Sequence, residues 1–271
     1  MRIADWRLRK EAGGVPSSIR GGDRPNQAEF RILGETEEFL AVDKPSGLLV
    51  HPTKPGGPRT LWDGVCELLG YELVNGGQVS IVNRLDRETS GVVVIAKTLA
   101  AARAAGLAMQ RREFHKEYLA LVFGWPDWEE IEVEAPIVRL GEVAPSELWL
   151  ERAVHSSGAS ACTGFRVEQR GMAPGGPYAL VRARPVTGRT HQIRVHLAHV
   201  GFPVIGDKIY ARGHGHYLNF IATGWTPELA TALWLPRHAL HCTRMEWRDL
   251  GWESSLPQDL ADFSDTLPPS V

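Results

Sequence analysis

Residues 79–97 read VSIVNRLDRETSGVVVIAK and place a charged loop between two segments rich in β-branched residues. Val and Ile favour strands, so VSIV (79–82) and GVVVIAK (91–97) are predicted to be strands that hold the loop NRLDRETSG (83–91) within a sheet. Thr98 follows as a candidate N-cap of an Ala-rich helix that runs to about Arg112. The order strand, loop, strand, helix predicts a mixed α/β or α+β domain with much antiparallel sheet.

Outward from this segment, the flanking sequence adds further predicted elements. Two helices are predicted, over residues 60–70 and over Thr190–Val200, the second ended by Gly201. The predicted strands are EFLAVDK (38–44) and GLLVHP (47–52) around a turn at residues 44–47, FHKEYLALVFG (114–124), residues 163–169, residues 178–184, and HALHCTRMEW (238–247).

The length of 271 residues allows one large domain or two small ones. Residues 1–35 are rich in Gly, Pro and charge and are predicted to be an irregular arm. Residues 36–248 form the predicted domain, and residues 249–271 a predicted acidic tail. No run reaches the ~20 apolar residues of a membrane span, and the first residues lack the apolar core of a signal peptide. We therefore expect a cytoplasmic monomer without a membrane segment.

The net charge of −2 conceals an uneven distribution of acids and bases. The tail holds five acidic residues and no Lys or Arg, so residues 1–248 carry a net charge of +3. Residues 169–227 contain a single acid, Asp207, against seven bases, a local excess of +6. This basic stretch is a candidate phosphate-binding surface, although a solvated basic face would have the same composition. The seven bases are Arg170, Arg182, Arg184, Arg189, Arg194, Lys208 and Arg212.

Asp86 lies between Arg84 and Arg87 in the charged loop. A nearby cation lowers the pKa of a carboxyl, so Asp86 is expected to be ionised and suited to nucleophilic or electrostatic work. The alternative is a turn held by an Asp–Arg pair. Glu88 is too close in sequence to form with Asp86 the carboxylate pair of a glycosidase, whose members are separated by ~5–10 Å across a sugar.

A second group of candidate residues lies in RPVTGRTHQIRVHLAHVG, residues 184–201. Arg194 borders the apolar stripe of the predicted helix, whereas Arg189 lies at the helix entrance. A partly buried Arg needs an anion, and that anion could be a structural Glu, an RNA phosphate or Asp86.

The sequence predicts no metal and no nucleotide cofactor. His191, His196 and His199 lack an HExxH motif or a Cys/His grouping, and neither GxGxxG nor GxxxxGK[ST] occurs. The three cysteines are far apart and without CxxC, which indicates reduced thiols. Tyr118 lies in the predicted strand 114–124, where a tyrosine is either packed in the core or able to stack on a nucleobase.

Taken together, these segments resemble the RluA-type family of pseudouridine synthases, which isomerise uridine in ribosomal or transfer RNA. Residues 42–52 (VDKPSGLLVHP) resemble the entry motif of the family, and residues 83–98 resemble its catalytic block HRLDxxTSGLLxxAK. Residues 112–124 resemble the segment with the family's tyrosine. Residues 186–207 resemble the block GRTHQIRVH, and residues 239–247 the closing strand.

The resemblance implies a role for each matching residue. Asp86 becomes the catalytic aspartate, Tyr118 the ring that stacks on the target uracil, and Arg194 the ionic partner of the aspartate. The remaining implied residues bind substrate: Arg84, which enters the RNA helix where the base leaves, and Arg189, Thr190 and His191. The family implies RNA as the partner, no cofactor, and a mixed, mostly antiparallel sheet with flanking helices and a cleft on its face.

Two features depart from the family pattern. Asn83 replaces the usual His, which we expect to alter bonding in the loop and not activity. The 35 residues before the domain are too few for the S4 RNA-binding domain of many relatives. Two other functions stay open at this point: a non-catalytic RNA-binding or RNA-chaperone protein, and a glycosylase that releases free uracil.

Overall fold

Twelve strands are present in the part of the chain that the computed structural model describes, residues 30–211 and 215–264. In chain order they are β1 (Arg31–Glu35), β2 (Phe39–Lys44), β3 (Ser80–Ile81), β4 (Ser90–Ala96), β5 (His115–Phe123), β6 (Glu130–Glu134), β7 (Ile137–Arg139), β8 (Arg152–Val154), β9 (Cys162–Ala173), β10 (Gly176–Pro185), β11 (Leu240–Trp247) and β12 (Leu250–Glu253).

Ten of these strands form one sheet, and β7 and β8 form a separate pair. The order across the large sheet is β1-β2-β4-β11-β5-β10-β9-β6, with β3 also paired to β4 and β12 to β11. All pairs are antiparallel except β4 with β11. Every residue of β4 is buried because this strand lies inside the sheet. The predicted α+β class with a mostly antiparallel sheet is confirmed.

The helices cover short stretches between the strands. They are α1 (Leu61–Leu68), α2 (Gly70–Val74), α3 (Leu99–Gln110), α4 (Gln192–His199), α5 (Gly215–Thr223), α6 (Pro227–Leu233) and α7 (Gln258–Ser264), with a 3₁₀ turn at Leu140–Glu142. Thr98 caps α3 as predicted, since its hydroxyl accepts a hydrogen bond from the backbone N–H of Ala101. None of the helices in the described parts of the chain has the length and apolar character to span a bilayer.

The predicted strand at residues 47–52 is wrong, because this stretch is irregular. The carbonyls of Leu49 and Val50 accept hydrogen bonds from the N–H groups of Leu61 and Trp62 at the start of α1. The first N–H groups of a helix have no acceptor within the helix. Here the carbonyls of the segment at residues 47–52 supply the acceptors for α1. Backbone groups that would have joined a sheet ladder are therefore used to begin a helix.

The helix predicted from Thr190 begins two residues later, at Gln192. His191 adopts a left-handed conformation with φ of 58°, which is incompatible with a continuous right-handed helix. Gly201 ends the segment with φ of 90°, in agreement with the predicted stop.

The folded domain extends beyond both predicted boundaries. Residues 31–35, which we assigned to the N-terminal arm, form β1 and pair with β2. At the other end, β12 pairs with β11, and α7 buries Leu260. Part of the predicted acidic tail therefore belongs to the domain. The predictions for residues 1–29 and 265–271 lie outside the described residues.

Gly91 allows β4 and β11 to approach each other. Its φ is 111°, and a Cβ atom there would collide with the backbone of Cys242, its partner on β11. We predict that Gly91→Ala destabilises the protein by about 3 kcal/mol or more, because both the backbone conformation and the contact are lost.

The matched control is Gly106→Ala in α3, where a Cβ atom would meet nothing within 4 Å. That variant should be more stable than the wild type by about 0.5–1 kcal/mol, since Ala is the better helix former. Urea unfolding of the three proteins measures both effects. Equal stability of Gly91→Ala and the wild type would show that the two strands are not held as closely as described.

Candidate active site

Asp86 and Arg194 meet at one end of the buried strand β4. The loop between β3 and β4 carries Asp86, and α4 carries Arg194. Arg194 Nη1 donates to Asp86 Oδ2 at 2.9 Å. The Arg194 side chain is 5% exposed, whereas that of Asp86 is 29% exposed. A carboxylate that solvent can reach is therefore fixed by a buried cation.

Asp207 holds the other side of the same guanidinium. Arg194 Nε and Nη2 donate to the two carboxylate oxygens of Asp207 at 2.6 and 2.8 Å, and the Asp207 side chain is fully buried. Backbone N–H groups of Ile209 and Tyr210 also donate to Asp207. The anion that Arg194 requires is thus two carboxylates, and Asp207 was not among the alternatives that the sequence suggested.

The charges of the cluster keep Asp86 ionised. Burial raises the pKa of Asp86, but His191, Arg194 and the Arg194 hydrogen bond together lower it below its usual value. Burial and Arg194 lower the pKa of His191 to about 4, so this ring is neutral at pH 7 and Arg194 is the effective cation. The expectation of an ionised Asp86 agrees with this geometry.

The two oxygens of Asp86 have different surroundings. Oδ2 faces both Arg194 Nη1 and His191 Nε2, the latter at 3.9 Å. Oδ1 has no hydrogen-bond or ion-pair partner among residues 30–211 and 215–264. Oδ1 is therefore the oxygen available to a bound molecule.

Tyr118 is on β5, in the interior of the sheet, between β10 and β11. Its side chain is buried, and burial, the neighbouring Cys242 and the charge of Asp86 raise its pKa well above the usual value. Its hydroxyl therefore stays protonated. The charge of Asp86 thus contributes to the raised pKa of Tyr118, although the two residues are 32 positions apart in the sequence.

The other predicted substrate-binding residues differ in exposure. Arg84, Arg189 and Thr190 are exposed at the surface of their loops. Arg84 makes no hydrogen bond or ion pair within the described part of the chain. Burial, and to a smaller extent the charge of Arg84, lower the pKa of His51. Arg189 donates to the Ser160 carbonyl. Two of the predicted residues, Arg84 and Arg189, therefore present cationic side chains to solvent.

Lys44 organises the loop that carries Asp86, a role that sequence reasoning missed. The side chain is fully buried, and its Nζ donates to the carbonyls of Pro45, Leu48 and Arg87 at 2.8, 2.8 and 3.1 Å. Burial lowers the pKa of Lys44 to about 7, while the charge of Asp86 opposes that shift. The ammonium group thus links the turn that contains Pro45 and Leu48 to Arg87, the residue that follows Asp86.

We predict that Lys44→Met lowers the free energy of unfolding by about 2 kcal/mol or more, because three inward carbonyls lose their donor. Turnover should fall as well, since the loop loses its anchor beside Asp86. Lys54→Met, which removes an exposed lysine from the same region, is the control and should change neither property. Thermal unfolding and the rate assay measure the effects, and identical behaviour of the two variants would contradict the assigned role.

Asn83, which departs from the family pattern, ties the two ends of the loop together. Its side chain is buried, donates to the Val92 carbonyl at 3.0 Å and accepts from the Val94 N–H at 2.8 Å. The side-chain amide therefore pairs with both polar backbone groups of β4 that face it. The expected effect on loop bonding is consistent with these contacts.

Glu88 is engaged in a separate cluster behind the loop. Its carboxylate accepts from Lys208 Nζ at 2.7 Å and from the backbone N–H of His238 at 3.1 Å. Lys208 and His238 are both buried. Glu88 is thus used in holding the loop against the end of α6 and the start of β11, which agrees with its exclusion as a second catalytic carboxylate.

Most of the bases in residues 169–227 are paired with acids, so most of this stretch is not a surface of unpaired bases, and Arg212 lies outside the described residues. Acids from neighbouring elements neutralise its bases: Arg182 pairs with Glu117 and Glu168, Arg184 with Glu117, Arg170 with Glu129, Lys208 with Glu88, and Arg194 with two aspartates. The local charge excess in sequence is therefore balanced in space, because β5 and β9 supply glutamates beside β10 and loops supply the other acids.

The histidines of α4 have ordinary hydrogen-bond partners or face solvent. His196 contacts the Thr163 hydroxyl and the Ala135 carbonyl, and His199 is exposed. Within the described residues, one group of three side chains, Glu132, Glu134 and Cys162, could offer ligands to a metal, on β6 and β9. The absence of a metal stays a prediction.

Comparison with known proteins agrees with the motifs. Residues 38–199 match the family described as RNA pseudouridylate synthase. Ribosomal large subunit pseudouridine synthase D of Nitrosomonas europaea is 36% identical over 88% of this chain and 66% of its own length. The dual-specificity RNA pseudouridine synthase RluA of Vibrio vulnificus is 34% identical over 70% of this chain and 72% of its own length.

A solved structure also shares the fold. Human RNA pseudouridylate synthase domain containing 4 superposes with a TM-score of 0.67 over 88% of this chain and 92% of that one, at 23% identity. This chain spans about two thirds of the length of the Nitrosomonas protein. The family match over residues 38–199 includes the loop of Asp86 and the helix of Arg194. This match and the sequence relatives show that the chain belongs to the RNA pseudouridylate synthase family.

Proposed function

We propose that this protein isomerises uridine to pseudouridine in RNA, with large-subunit ribosomal RNA as its substrate. The observation that carries the proposal is the ionised, accessible Asp86 held by the buried Arg194. Several relatives are named as ribosomal large subunit synthases, which supports ribosomal RNA. Transfer RNA, the other substrate that the family resemblance implies, is the second candidate, and the Vibrio relative is named as a dual-specificity RNA pseudouridine synthase.

The proposed reaction needs one ionised carboxylate in a shielded pocket. The bond between N1 and C1′ breaks, the uracil turns, C5 bonds to C1′, C5 loses its proton and N1 gains one. Asp86 Oδ1 is the oxygen that would start this sequence, since Oδ2 is occupied. Nothing is oxidised or reduced overall, and the family resemblance implies no metal or organic cofactor, so we propose none.

The target uridine must leave the RNA stack before Asp86 can reach it, at a cost of a few kcal/mol. Arg84 is exposed two residues before Asp86 and is proposed to fill the space left by the base. Tyr118 is proposed to contact the uracil. A closed pocket is required, because water would otherwise capture the sugar intermediate.

Arg189, Thr190 and His191 are proposed to bind the RNA or its target nucleotide near α4. Arg84 and Arg189 are exposed, and their positive charge would attract RNA phosphates. The bases that are paired within the β10 region contribute less, since their partners are acidic. We therefore propose an RNA interface around the Asp86 loop and the entrance of α4, on a monomeric enzyme.

Nucleoside analysis of treated RNA tests the proposal and separates it from the alternatives. Unmodified large-subunit ribosomal RNA and transfer RNA are incubated with the protein, digested and chromatographed. Pseudouridine from ribosomal RNA is the expected product. Free uracil would identify a glycosylase, and unchanged uridine in an RNA that the protein binds would favour a non-catalytic binding protein.

A further inference from the structure

Tyr210 lies three residues after Asp207 and is connected to the site through two hydrogen bonds. Its hydroxyl oxygen accepts from the backbone N–H of Arg152 on β8 at 3.0 Å. The same hydroxyl lies 2.7 Å from His191 Nδ1. Tyr210 thus contacts the second pair of strands on one side and a residue beside Asp86 on the other.

The partners of the hydroxyl determine where its proton is. The N–H of Arg152 can only donate, so it takes up a lone pair of the phenol oxygen. Among the described residues, His191 Nδ1 is the one acceptor within hydrogen-bond distance of this hydroxyl. Burial raises the pKa of Tyr210 above its usual value, so the phenol keeps its proton and donates it to Nδ1.

A histidine that accepts at Nδ1 and is neutral carries its hydrogen on Nε2. His191 Nε2 is the ring nitrogen that faces Asp86 Oδ2, at 3.9 Å. This distance is longer than a hydrogen bond. The N–H of His191 therefore acts on the carboxylate through electrostatic attraction and not through a hydrogen bond. The opposite tautomer would direct a lone pair at the carboxylate and repel it.

We propose that Tyr210 is a positioning residue, which acts through His191 by holding the ring in the tautomer with hydrogen on Nε2 directed at Asp86. Arg194 occupies Oδ2 of Asp86 with a hydrogen bond, and the Nε2–H dipole of His191 faces the same oxygen, which leaves Oδ1 for the substrate. The inference deepens the proposed function and rests on it for its kinetic consequence, whereas the tautomer is a property of the protein alone.

Nuclear magnetic resonance tests the tautomer directly. Long-range ¹H–¹⁵N spectra of ¹⁵N-histidine-labelled protein at pH 7 show which ring nitrogen is protonated, and His191→Gln identifies the signals of His191. Hydrogen on Nε2 in the wild type, with a mixture of tautomers in Tyr210→Phe, is the expected result. Hydrogen on Nδ1 in the wild type would overturn the proposal, whether or not the protein is active.

Kinetics tests the consequence for the reaction. Tyr210→Phe should lower kcat about tenfold with little change in KM, since one hydrogen bond is removed away from the substrate. Tyr71→Phe, at a tyrosine that is 81% exposed on α2, should match the wild type. Unchanged kcat in a folded Tyr210→Phe would overturn the proposal.

Two substitutions of His191 distinguish positioning from packing. The side-chain amide of Gln can occupy the place of Nε2, and that of Asn the place of Nδ1. His191→Gln should therefore retain more kcat than His191→Asn, while the reverse order would contradict the assigned tautomer. If the wild type formed no pseudouridine, the proposed function would fail, and the spectra would still decide whether Tyr210 controls His191.

Discussion

Asp86→Asn is expected to lower the rate of pseudouridine formation by about 1,000-fold or more, while the protein folds and binds RNA as before. The amide has the shape of the carboxylate, and its oxygen can still accept from Arg194 Nη1. It lacks the negative charge that the cluster maintains on Asp86. The loss should therefore appear in the chemical step and not in the fold.

Single-turnover rates with saturating enzyme measure this loss, and filter binding measures RNA affinity. Asp262→Asn is the matched control, because Asp262 is exposed on α7 and its carboxylate has one hydrogen-bond partner among the described residues, Gln258. It should react at the wild-type rate. A folded Asp86→Asn protein with more than a tenth of the wild-type rate would remove Asp86 from the chemistry.

Arg194→Met is expected to lower the free energy of unfolding by about 3–5 kcal/mol, because it leaves the buried Asp207 without its counterion. Asp207 keeps only the two backbone donors from Ile209 and Tyr210. Activity should be lost at the same time, since Asp86 loses its cation. Denaturant unfolding followed by circular dichroism measures the change.

Two further variants show whether the effect comes from the uncompensated charge. Arg184→Met removes an arginine that is 56% exposed and paired with Glu117, so it should cost about 1 kcal/mol at most. Adding Asp207→Asn to Arg194→Met should recover part of the stability, because the buried charge disappears. Equal destabilisation by Arg184→Met and Arg194→Met would contradict the buried cluster.

The elements that the sequence predicted correctly are those with strong local signals. The β-branched run of β4 and the cap at Thr98 depend on residues close together in the chain. The segment at residues 47–52 has the composition of a strand, yet its carbonyls bind the first turn of α1. Such an outcome depends on a contact between segments, which composition and periodicity do not describe.

In the candidate site, too, local motifs predicted some residues, whereas contacts between segments determined others. The motifs identify Asp86 and Arg194, but spacing could not choose the anion beside Arg194, and the structure adds Asp207 as a second one. The available signal was that Asp207 is the single acid among seven bases. Lys44 has no comparable signal, because its role is defined by the carbonyls that surround it.

The charge excess of residues 169–227 in sequence overstates the surface charge for a related physical reason. Local net charge predicts a surface potential only when neighbouring segments are neutral. Here Glu117 on β5 and Glu168 on β9 lie beside the arginines of β10. Among the described residues, the cations that stay exposed in the two loops include Arg84 and Arg189.

Asp86 is proposed to be required for the replacement of hydrogen at C5 of uridine in RNA. Tritium release from large-subunit ribosomal RNA labelled at uridine C5 measures this most directly, with wild type and Asp86→Asn compared in parallel. We predict release by the wild type in proportion to the pseudouridine formed, and none above background from Asp86→Asn. Equal release by both proteins would contradict the role of Asp86, and no release by a wild type that binds the RNA would contradict the proposed reaction on that substrate.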